Sequence, residues 1–102
     1  MFCISVAYPV KDGARFDFDY YATRHIPMVA RLLGANAVRS EVRKGVTSAN
    51  GSPAAFVCLA NIWIRSAEEF QATLDKHGAE IMGDIPNYTD IQPILQVDEV
   101  VA

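Results

Sequence analysis

Residues Ala54 to Ile64 are apolar at every position except Asn61, and Phe2 to Pro9 form a shorter apolar run ending in proline. Runs this short, rich in β-branched and aromatic side chains, read as strands. Side chains alternate along a strand, so each run has two apolar faces. Phe2, Ile4, Val6 and Tyr8 point one way from the first, with Cys3 and Ala7 opposite. Phe56, Cys58, Ala60, Ile62 and Ile64 oppose Val57, Leu59 and Trp63 in the second. Two such strands belong at the centre of a sheet covered on both sides.

The remaining segments supply the neighbours. Val38 to Val46 alternates, with Arg39, Glu41 and Arg43 on one side, and reads as a strand with a wet face. Ile91 to Val101 is the last strand, and Pro93 places it at an edge. A first helix is capped by Asp17, carries acidic Asp19 in its first turn and closes at Gly34. Its apolar positions are 18, 21, 22, 29, 32 and 33, and Pro27 predicts a kink. Ser66 and Glu69 form a capping box for a second helix with Phe70 and Leu74 on its inner stripe. Gly78 weakens that helix, and residues 79–83 read as a separate short turn. Residues 47–53 and 84–90 have loop chemistry.

The order strand, helix, strand, strand, helix, strand predicts an α+β fold, the ferredoxin-like βαββαβ pattern. It has an antiparallel sheet with both helices on one face. Helices cover only that face, so the second face needs another cover. A second copy related by a two-fold axis is the economical one. The expectation is a homodimer whose sheets pack as a dimeric α/β barrel. The 51% apolar content fits a sheet covered on both sides.

Length and charge remove several function classes. The chain is read as one domain over residues 1–102. A net charge of −3 gives no footprint for nucleic acid, and no Lys or Arg run points to a membrane surface. The start Met1-Phe2-Cys3-Ile4 lacks a basic leader and no stretch is long enough to span a bilayer, so the cytosol is the expected compartment. Cys3 and Cys58 are too few for a disulfide framework or a zinc site and read as buried thiols. No glycine-rich phosphate cradle is present, and the two histidines are 52 positions apart. No cofactor and no metal are expected.

The candidate site is on the first helix. His25 lies on the apolar stripe, one turn after Tyr21. It is either a core histidine satisfied by Tyr21 or a backbone carbonyl, or a group that moves protons near neutral pH, with burial making it a base. Tyr21 either orients His25 and donates a proton, or is an interior phenol needing one partner. Asn61 and Trp63 share a strand face and meet either a ligand or the dimer partner. Asn87 and Tyr88, in a loop, are ligand contacts, or a turn stabiliser and a plug at the barrel end. His77 reads as an exposed residue near a helix end, and Asp84 as a solvated one before the turn.

The pattern Tyr21-x-x-x-His25-x-Pro27, Phe16 before it, and the closing stretch from Gly83 through Asp84-Ile85-Pro86-Asn87-Tyr88-Thr89-Asp90-Ile91-Gln92 to Pro93 resemble the EthD family. That family is named for a protein linked to bacterial degradation of ethyl tert-butyl ether. It is similar to the dimeric α/β-barrel group, which includes muconolactone-type isomerases and small cofactor-free monooxygenases. The resemblance covers nearly the whole chain. It implies the fold and the dimer, and a small hydrophobic ligand held between the first helix and the sheet. The function it implies is accessory to bacterial catabolism of small hydrophobic compounds, with proteins of an oxygenase system as possible partners. The alternative is a cofactor-free acid–base enzyme of isomerase, dehydratase or monooxygenase type using His25.

Overall fold

A computed structural model describes residues 1–102. Strand β1 is Phe2–Pro9, β2 is Ala37–Lys44, β3 is Phe56–Ile64 and β4 is Ile94–Glu99. Helix α1 comprises Phe18–Tyr20, a π-helical turn Tyr21–His25 and Ile26–Leu33; helix α2 is Ala67–Asp84. The sheet order is β2-β3-β1-β4 with every pair antiparallel, the ferredoxin-like α+β architecture expected. The two doubly apolar runs are central and β4 is an edge. That strand begins at Ile94 rather than Ile91, directly after Pro93, which has no N–H for a ladder.

Both ends of α1 follow local chemistry. The Asp17 carboxylate accepts the Tyr20 N–H at 3.0 Å, and Gly34 ends the helix at φ +58°, a conformation glycine adopts without a Cβ penalty. Between them the helix widens. The Ile26 N–H reaches back five residues to the Tyr21 carbonyl, and Pro27 follows with no N–H to give. The wide turn corrects the expected stripe, for Ala22 is exposed and Ile26 is buried in its place beside Val29 and Leu33.

Helix α2 runs through Gly78 to Asp84 without the expected break, so residues 79–83 are helical and His77 lies mid-helix, 3.8 Å from Glu80. Ser66 caps it by accepting the Glu69 N–H at 3.1 Å. The other half of the capping box is replaced. The Ser66 N–H goes to Asn36 at 2.8 Å, whose side chain also takes the Arg65 N–H at 3.0 Å and donates to the Ser66 carbonyl at 3.0 Å. Buried Asn36 thus ties the end of α1 to the start of α2.

One buried core lies between the helices and the sheet: Ile4, Val6 and Tyr8 from β1, Cys58, Ala60, Ile62 and Ile64 from β3, and Val29, Leu33, Phe70 and Ile81 from the helices. Both cysteines are buried free thiols. The other sheet face differs from its expected apolar centre. Ser5 stands opposite Asn61 in the register, and the Asn61 amide donates to Ser5 Oγ and Cys3 Sγ, both at 3.3 Å. Ser5 also bonds Asp98, and Arg43 donates to Asn61 Oδ1 at 2.7 Å. This polar ribbon is flanked by exposed Leu59 and Ile94 and by Trp63. No helix is long and apolar enough to cross a membrane.

Candidate functional site

The stretch 84–93 folds back onto the start of α1. Asp17 donates its N–H to the Tyr88 carbonyl at 2.8 Å, Thr89 donates its hydroxyl to the Arg15 carbonyl at 2.8 Å, and Phe16 bridges to Thr89. These bonds bring the end of α2 beside the π-helical turn. There His25 meets Asp84, 59 residues away, with Nδ1 2.9 Å from Oδ2. The other carboxylate oxygen accepts from the Tyr20 hydroxyl at 2.7 Å and from the Asn87 amide at 2.9 Å. Asp84 is therefore a bound acceptor, not the solvated residue expected, its side chain only 16% exposed.

The electrostatics follow from these bonds. Burial pushes the Asp84 carboxyl up, but the hydrogen bonds from Tyr20, Asn87 and His25 together hold it below the ordinary carboxylate value. For His25, burial dominates and lowers the value below 6.5, while Asp84 pulls the other way. At neutral pH the carboxylate is thus ionised and the imidazole neutral. An ionised carboxylate only accepts, so Nδ1 carries the proton and Nε2 holds a lone pair. Nε2 has no hydrogen-bond partner in the protein, and the His25 ring forms part of a cavity wall.

That cavity has a volume of about 40 Å³ and lies between α1, α2 and the sheet. Thirteen of its fifteen lining residues are hydrophobic, and none is Lys, Arg, Asp or Glu. Ile4, Val6 and Ile62 form the sheet side, and exposed Met82 stands on the α2 side. Tyr8 and Tyr21 also line it. Tyr21 does not hydrogen-bond His25 but stacks on it, with centroids 5.5 Å apart and planes at 15°. Burial drives the Tyr21 phenol far above its ordinary value, so it stays protonated.

The four expected ligand contacts separate. Asn87 orients Asp84 from behind His25. Tyr88 is fully buried, donating to or accepting from Tyr8 at 2.7 Å, with its ring 4.7 Å from that of His25. Neither lines the cavity. Asn61 and Trp63 lie on the far side of the sheet, where Trp63 carries the Arg39 guanidinium 3.7 Å from its ring centroid. Sequence reasoning missed Asp84 and Tyr20. One signal was available: a carboxylate in the last turn of a helix opposes the macrodipole.

The sequence model of the EthD domain matches residues 14–92. The chain belongs to the EthD family. Among solved structures, an EthD-like protein from Ralstonia eutropha JMP134 is 50% identical, with a TM-score of 0.92 over 99% of this chain and 92% of that one. An EthD family protein from Bacillus halodurans C-125, whose name refers to ethyl tert-butyl ether, is 18% identical, with a TM-score of 0.66 over 99% of both chains. HapK from Hahella chejuensis is 15% identical, with a TM-score of 0.60 over 99% of this chain and 93% of that one. The last two share the fold. No curated protein matches the chain. In this EthD domain the matched segment contains His25, Asp84, Tyr20 and Asn87, the whole polar side of the site.

Proposed function

We propose that this EthD-family chain binds a small, largely apolar molecule in the cavity between α1, α2 and the sheet, and that His25 exchanges a proton with it. One observation carries the reading: Nδ1 is fixed on Asp84, Nε2 has no partner in the protein, and the His25 residue lines an apolar cavity. In the proton step, Nε2 takes a proton from an X–H group of the ligand. The electron pair stays on X, and the imidazolium so formed is stabilised by Asp84. Returning the proton to another carbon, as the electron pair on X shifts into a new double bond, completes an isomerisation; returning it to a hydroxyl whose C–O bond breaks as that pair forms the double bond releases water. His25→Gln removes the base and should lower turnover about a hundredfold or more while the fold is kept.

A second reading starts from the family membership: a protein accessory to bacterial catabolism of small hydrophobic compounds, acting with an oxygenase system. The name of the Bacillus halodurans protein refers to ethyl tert-butyl ether. In that case His25→Gln changes ligand affinity only, and no turnover accompanies binding. For either reading the proposed working unit is a homodimer joined through the open sheet face. Exposed Leu59, Ile94 and half-buried Trp63 there supply the apolar area that a second sheet would cover. Light scattering at micromolar concentration tests it, and a lasting 11.2 kDa species would overturn it.

A further inference from the structure

We infer that the cavity selects neutral hydrogen-bond donors, such as alcohols, phenols or enols, and rejects carboxylates of the same shape. The inference rests on the proposed ligand site and names the class of molecule it takes. Its basis is the pattern of charge around the cavity. No lining residue offers a cation to a bound anion. The polar group presented by His25 is the Nε2 lone pair, an acceptor, since Nδ1–H is engaged by Asp84. Directly behind that ring is the Asp84 carboxylate, anchored by Tyr20 and Asn87. A ligand hydroxyl meets an acceptor here. A ligand carboxylate meets the same lone pair, a negative charge behind it, and a wall without a cation, where the only O–H groups are the buried phenols of Tyr8 and Tyr21.

The cations near this end of the fold are directed elsewhere. Arg15 is held by Asp90 and the Pro86 carbonyl, Lys11 by the Asp90 carbonyl, and Arg24 lies over the outward Tyr20 ring. A carboxylate enters only with a proton, either as the acid or by protonating His25. Size narrows the class further. The cavity of about 40 Å³ is well below the ~150 Å³ that holds a benzene ring. By that yardstick it holds only about one or two non-hydrogen atoms as it stands, and a larger ligand extends past Met82, a flexible side chain at the exposed edge.

The test uses wild-type protein and two matched pairs, isobutanol with isobutyrate and phenol with benzoate. The readouts are ligand-observed NMR and the His25 ring nitrogen shifts at pH 7.5. The expected result is that the neutral member of at least one pair moves the His25 Nε2 signal and binds at least tenfold tighter than its carboxylate. The carboxylate should gain as the pH is lowered to 5.5. Equal or tighter binding of the carboxylate at pH 7.5, with the same His25 shift, would overturn the charge selection and leave the ligand site standing. Binding by neither member of either pair at the His25 signal would overturn both.

Discussion

The two faces of this sheet are built from alternate residues of the same strands, yet they solve burial in opposite ways. Under the helices, Ile4, Val6, Tyr8, Cys58, Ala60, Ile62 and Ile64 form a dry layer in which the Tyr8 hydroxyl is paired with Tyr88, and the ring nitrogen left unpaired comes from the helix side, at His25. On the open face, Ser5, Asn61, Asp98, Arg43 and Glu41 satisfy one another in a ribbon between exposed apolar side chains. A polar residue in a strand therefore marks different things on the two faces. On the covered side an unpaired polar atom is a candidate for chemistry. On the open side a paired one specifies register and surface.

The sharpest way to break this contrast is within one strand. Ile62 is 3% exposed and Leu59 is 38% exposed. Ile62→Ala should cost about 2–5 kcal/mol in urea unfolding. Leu59→Ala should stay within about 0.5 kcal/mol at concentrations where the chain is monomeric. A larger cost for Leu59→Ala that appears only as concentration rises would instead report the proposed sheet-to-sheet dimer. Asp84→Asn comes next. Tyr20 and Asn87 lose a charged acceptor, at a cost of about 1–3 kcal/mol, and the His25 tautomer is no longer dictated by an acceptor-only partner.

Acid titration then separates the two members of the pair. Both folded-state values are lowered, so the unfolded chain takes up each proton first, and stability falls as pH drops. The His25 step opens as the pH falls through its ordinary 6.5 and ends below its lowered folded value, and the Asp84 step does the same from 3.8. His25→Gln should abolish the upper step in pH-dependent denaturation and keep the lower one. The smallest effects belong to the far face. Asn61→Ala and Trp63→Ala should leave binding of any cavity ligand within roughly twofold, since both side chains lie across the sheet from it. A large loss from either would mean that the open face, not the covered one, holds the ligand.

Much of the fold was legible because it depends on local rules. The doubly apolar runs named the central strands, Pro93 named the edge, and Asp17, Ser66 and Gly34 marked helix ends. Gly78 misled because its cost of about 1 kcal/mol is small beside the packing that holds α2 together. Of the site, His25 and its aromatic neighbour Tyr21 could be found, since helical spacing brings them together. Asp84 could not be paired with His25 by spacing at 59 residues, and as a turn-forming residue it had a sufficient local explanation. Asn61 and Trp63 were grouped correctly on one strand face. Which face holds the cavity depends on where the helices settle, a tertiary fact.

The widened turn at Tyr21–His25 has a consequence for how this helix tolerates change. An α-helix advances about 100° per residue, so one surplus residue acts as a phase slip between its two halves. The slip lets the aromatic half and the aliphatic half of α1 both aim at the sheet although their periodicities do not join. Deleting one of the exposed residues Ala22, Thr23 or Arg24 would restore a regular spiral and leave Phe18 and Val29 in nearly their present directions, whereas straightening the turn with all five residues kept would swing one half by about 100° against the other. A frame-preserving loss of one codon at Ala22, Thr23 or Arg24 would therefore spare the two halves of the helix and fall on the site instead, because it changes the spacing that stacks Tyr21 on His25.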